Sequence, residues 1–138
     1  MRKLLTKKDK GNPAASAIYI LLGMVAILMV TMLGMSYLHT VEKASNAENV
    51  IHAYMLEMES TGGLDSNMVQ NIKEDLRAFG FENVSVTGTF KPTESNYGQP
   101  IRLTVTGDLH SVVINASGKT DKVTPLTYTK VGTSKWIT

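Results

Sequence analysis

Residues 14–38 read AASAIYILLGMVAILMVTMLGMSYL, twenty-five positions without a charged side chain. About 20 apolar residues of helix cross the hydrocarbon core of a bilayer, and lipid offers no partner to an exposed amide, so this stretch predicts a transmembrane helix over 13–38. Tyr19 and Tyr37 lie 18 residues apart, about 27 Å along a helix, which suits two aromatic anchors at opposite interfaces. Ser16, Gly23, Val30 and Gly34 fall on one stripe at 100° per residue. Small residues so aligned let a second helix approach closely, although glycine is also common in membrane helices for other reasons. A cleaved signal peptide fits less well, since its apolar region is shorter and ends in an A-x-A-like site that is not found after Met35.

Outward from this run the charge is uneven. Arg2, Lys3, Lys7, Lys8 and Lys10 against Asp9 give the segment before it +4, whereas nine basic and eleven acidic residues after it give −2. Basic residues beside a first membrane helix stay in the cytoplasm, so residues 1–12 form a cytoplasmic leader and the C-terminal part lies outside. The basic cluster is thereby explained by topology, it lacks interleaved aromatics, and nucleic-acid binding has no support. With 138 residues in all, the part outside the membrane suffices for one small domain. The chain has no cysteine, so neither a disulfide framework nor a thiolate metal site is available and packing alone must hold that domain.

Asn12 is a good helix cap and Pro13 suits a first helical turn. Beyond the apolar run the helical period continues without a breaker: Val41, Ala44, Ala47, Ile51, Met55 and Met58 recur at steps of three and four, with Glu42, Lys43, Asn46, Asn49 and Glu57 on the other side. One helix is therefore expected from Pro13 to Ser60, its segment 39–60 amphipathic, stopped by Gly62-Gly63. Asp65 or Ser66 can cap a second helix carrying Met68, Val69, Ile72, Leu76 and Phe79 and ending at Gly80. From there the period falls to two. Val84, Val86 and Phe90, then Ile101, Leu103 and Val105, alternate with polar residues; Val112–Ile114 reads as a short core strand and Val123–Val131 as another, with Pro125 pointing to an edge position or a bulge. Residues 91–100 read as a loop. The expected fold is α+β: a long N-terminal helix, transmembrane in its first half and amphipathic in its second, packed on an outer head (61–138) of one short helix and about four antiparallel strands.

Catalytic chemistry finds little to build on. His39, His52 and His110 are scattered, without an H-E-x-x-H or H-x-H arrangement. His110 and Ser111, adjacent on a strand, point to opposite faces and make no nucleophile and base pair. Gly62-Gly63 lacks the strand and G-K-[ST] context of a phosphate loop. The sequence predicts no enzyme, no cofactor, no metal and no small-molecule substrate.

A short basic leader ending at Gly11, an apolar helix beginning at once, and a small α+β head with late strands resemble the type IV pilin-like proteins, and most closely the TadE-like minor pilins of tight-adherence (Tad) pilus systems. The resemblance covers the architecture of the chain, with its specific motif in Lys7–Leu22. It implies cleavage between Gly11 and Asn12 by a prepilin peptidase, storage in membrane lipid, and assembly with other pilin-like subunits through the N-terminal helix into a bacterial surface pilus or secretion apparatus. Where the family commonly carries a glutamate at the fifth position of the mature helix, this chain has Ser16, which implies a minor or accessory subunit rather than the main filament protein. The alternative reading is a permanently membrane-resident, single-span structural subunit of an envelope, secretion or conjugation complex, with an outer domain that binds a partner.

Overall fold

A computed structural model describes residues 11–115 and 118–137. The leader residues assigned to topology, Arg2, Lys3, Lys7, Lys8 and Lys10, lie outside the described residues.

Helix α1 runs unbroken over Pro13–Thr61, about 73 Å at 1.5 Å per residue. Its start is fixed by Asn12, whose side-chain oxygen accepts from the Ala14 amide at 3.2 Å, with Pro13 in the first turn. Its end is fixed by Gly62, which turns left-handed at φ 91° and donates its own amide to the Met58 carbonyl at 2.9 Å. Helix α2, Ser66–Ala78, starts where Asp65 accepts from the Met68 amide at 2.7 Å and ends at Phe79, just before Gly80 at φ 86°. Both caps and both stops fall where the sequence places them, to within a residue at the end of α1.

Three strands follow, β1 (Phe81–Gly88), β2 (Pro100–Asn115) and β3 (Gly118–Thr133), in one antiparallel meander of order β1-β2-β3. The expectation of about four strands is corrected to three. Ile101–Val105 and Val112–Ile114 belong to the single strand β2, because Gly107 continues the ladder: a Cβ there would come within 3.2 Å of the Phe81 ring, so the missing side chain is an inward position filled from the neighbouring strand. Opposite it β1 carries a bulge, Asn83 and Val84 facing Gly107, with Asn83 at φ 50° and its side-chain amide donating to Asp108 at 3.0 Å. The extra residue shifts the parity of β1, so that Phe81 and Val84 both point inward. Of the two positions open to Pro125 it takes the edge, since among the described residues β3 pairs with β2 alone.

The architecture is two-layered. One face of the sheet (Ile101, Leu103, Val105, Leu109) is buried against Ala47, Ile51, Met55 and Met58 of α1 and against Met68, Ile72 and Leu76 of α2. The other face, including Ser85, Thr87, Arg102 and Thr129, meets solvent. Three expected core residues are not in it. Phe90 is 62 % exposed because the chain leaves β1 at Gly88 and forms an isolated parallel bridge to Leu64, and Val112 is 49 % exposed because it lies on the solvent face of β2, beyond the reach of the core. Val41 is likewise exposed, since the sheet's packed interior begins higher up α1.

Candidate functional site

The molecule divides at about the middle of α1. Its N-terminal part is long and apolar enough to cross a membrane, and none of that apolar window is covered by the rest of the protein. Ile18, Leu21, Ile27, Leu28, Met32 and Met35 are each more than half exposed. An uncovered surface of this size is unstable in water and requires lipid or another protein against it. Two polar side chains within the run make no demand for water: Thr31 donates to the Ile27 carbonyl at 2.8 Å and Ser36 to that of Met32 at 3.1 Å, so their hydroxyls are satisfied inside the helix.

The residues of the proposed stripe lie on this uncovered surface. Ser16 and Val30 are exposed, and a Cβ added at Gly23 or Gly34 would meet nothing within 4 Å, so none of the described residues uses the glycines for close packing. Tyr19 and Tyr37 are 74 % and 71 % exposed. Gly11 and Asn12 lie immediately ahead of the helix, where Asn12 is occupied as its cap.

The C-terminal half of α1 is fastened to the head by buried apolar contacts and a series of polar ties. Tyr128 on β3 donates to the Ala44 carbonyl at 3.0 Å, Lys130 to Glu48 at 2.7 Å, and Lys135 to Glu59 at 2.8 Å. These lysines hold both carboxyls below their ordinary range, and Glu59 in turn raises Lys135. Tyr54 of α1 donates to Asp75 of α2 at 2.7 Å, and burial together with that carboxylate pushes the phenol up to about 12. At the far end of the head, Asn96 donates to the Gly62 carbonyl at 2.6 Å and accepts from buried Ser134 at 2.6 Å, which ties the 91–99 loop and the segment after β3 to the end of α1.

His39 and His110, 71 residues apart in sequence, line one surface depression with Lys43, where His39 is also near Glu42 at 3.7 Å and His110 near Glu82 at 3.3 Å, whereas His52 is exposed elsewhere on α1. Among the described residues no group of three or more His, Asp or Glu could hold a metal ion. His110 and Ser111 do face opposite ways, Ser111 donating instead to the Lys122 carbonyl across the hairpin at 3.3 Å.

One arrangement escaped the sequence reading. The β2–β3 hairpin runs on beyond the core and lies along α1 toward the apolar half, where Ser111, Val113, Lys122 and Thr124 enclose a depression with Leu33 and Tyr37. The signal was present in the length of the alternation, which continues from Ile101 through Val113 once Gly107 is counted as a strand residue. Comparison with protein-family models, with characterised proteins and with solved structures returns no match.

Proposed function

We propose that this chain is a minor or accessory pilin-like subunit of a bacterial surface pilus or secretion apparatus, anchored and assembled through the N-terminal half of α1. The observation that carries the reading is the division of one uninterrupted helix into a half whose apolar window has no buried residue and a half clamped to a small head. A rigid helix of this kind can exchange a lipid environment for a bundle of like helices without refolding, because the buried contacts and polar ties of the head are all to its other half. The work done is assembly rather than chemistry on a substrate. The basic leader ending at Gly11 fits the same account, with a prepilin peptidase cutting before Asn12 and the head displayed outside the cell.

In this reading Ser16, Gly23, Val30 and Gly34 form the contact face for neighbouring subunits. Gly23→Leu or Gly34→Leu weakens association in a membrane two-hybrid assay; unchanged association removes the stripe from the assembly face. The presence of Ser16 in place of an acid favours one second reading, a subunit that never leaves the membrane. Shearing cells and probing the released material separates the two. A filament subunit is found in the sheared fraction and disappears from it when the assembly ATPase is inactivated, whereas a resident subunit stays with the membrane in both cases.

A further inference from the structure

The position of the β2–β3 hairpin along α1 bears on where the membrane surface lies. Successive ties climb the two elements together: Tyr128 to Ala44, Lys130 to Glu48, Lys135 to Glu59. Followed downward, the same course brings Lys122 and Thr124 beside Leu33 and Tyr37, and pairing continues past that level through Val112↔Asp121, Val113↔Thr120 and Ile114↔Lys119. At about 3.3 Å per residue, the backbone of Lys119 extends up to roughly 10 Å beyond Lys122.

A hydrocarbon layer reaching Leu38 would thus contain the charged residues Lys119, Asp121 and Lys122 together with an edge strand of unpaired backbone groups, which lipid does not tolerate. The helix does not need that length. From Pro13 to Leu33 it already spans about 30 Å, the thickness of the hydrocarbon core. Val113, the partner of Thr120, lines the same depression as Leu33, so Lys119 lies only one strand residue, roughly 3 Å, beyond that level; the end of the hairpin then stands at the headgroup layer, and its composition suits that layer. Val112 and Val123 are 49 % and 47 % exposed on its outer side, next to lysines whose stems can lie along apolar surface while their ammonium groups reach phosphate. Neither Lys119 nor Lys122 is held in an ion pair among the described residues.

We propose that the membrane-proximal end of the β2–β3 hairpin is a lipid-contact site: Val112 and Val123 enter the outer headgroup region and Lys119 and Lys122 take up anionic phospholipid phosphates, limiting how far α1 sinks. The inference rests on the reading of α1 as a membrane anchor but not on its entry into a filament.

Because the chain has no cysteine, single-cysteine variants of the full chain can each carry one environment-sensitive fluorophore. Val112→Cys and Val123→Cys report the hairpin, Leu28→Cys the apolar helix, and Tyr97→Cys the far end of the head. The labelled proteins are reconstituted into vesicles of phosphatidylcholine with phosphatidylglycerol, and a lipid nitroxide placed near the headgroups is the quencher. The expected result is strong quenching at positions 28, 112 and 123 and none at 97, with quenching at 123 falling at least twofold in pure phosphatidylcholine or after Lys119→Glu with Lys122→Glu. Quenching at 28 without quenching at 112 or 123 overturns the hairpin site and leaves the anchor standing. Loss of quenching at 28 as well overturns both. Hairpin quenching indifferent to the charge reversal and to phosphatidylglycerol overturns the assignment of the lysines.

Discussion

Ile51 sits at the centre of the contact between α1 and the head and is wholly buried, whereas Leu56, five residues on, is 52 % exposed on the opposite side of the same helix. Ile51→Ala removes three carbons from the core, about 2.4 kcal/mol at 0.8 kcal/mol per buried group. The space left between Met55, Leu103 and their neighbours adds a cavity cost, while the better helix propensity of alanine returns a few tenths, for a net loss of about 3 kcal/mol. Trp136, the only tryptophan, reports the head: it is half-buried against the end of α1, with Lys91 Nζ 4.9 Å from its ring centre. Urea unfolding of the full chain in micelles, followed by Trp136 fluorescence, should show the midpoint lowered by roughly 2–3 M for Ile51→Ala, taking about 1 kcal/mol per molar urea for a head of this size. Leu56→Ala should move it by less than about 0.5 M. Equal shifts for the two variants would refute the claim that α1 is clamped by the face carrying Ile51.

Two further expectations concern the head. Gly63, at φ 153°, has the Lys91 amide nitrogen 2.7 Å and the Phe90 carbonyl carbon 2.8 Å from where a Cβ would stand; Gly63→Ala therefore costs more than about 2 kcal/mol in the same urea assay, against about 1 kcal/mol for Gly98→Ala, where φ is also positive but space is open. In the alkaline range Tyr54 decides the sign. Its folded pKa is raised from 10.0 to about 12, so the stabilisation it gives is complete below pH 10 and is lost as the pH rises toward 12. Tyr54→Phe should flatten that alkaline loss in a pH series of unfolding midpoints; an unchanged slope would mean that the bond to Asp75 contributes nothing there.

Much of the fold could be read from particular residues. Asn12-Pro13, Gly62-Gly63, Asp65 and Gly80 each solve a local backbone problem, and local solutions are visible in a sequence. The buried face of α1 was legible for the same reason, since Ala47, Ile51, Met55 and Met58 keep a helical period wherever they pack. Strand number was not legible, because Gly107 breaks the alternation of side chains without breaking the ladder: its space is filled by Phe81 from another strand, a contact between distant residues. Phe90 and Val112 misled in the same way, apolar by type but carried off the core by a bridge to Leu64 and by the length of β2. The uncovered helix and its stripe of small residues were plain from composition. The hairpin alongside it was not, since its placement depends on tertiary ties such as Tyr128 to Ala44.

The most direct test of the account is the N-terminus and intact mass of the native protein, taken by mass spectrometry from membranes and from sheared surface material. The account predicts a chain that begins at Asn12 and is present in the sheared fraction. A chain that keeps Arg2 through Gly11 and is found in membranes alone would contradict it and establish a permanent single-span subunit instead.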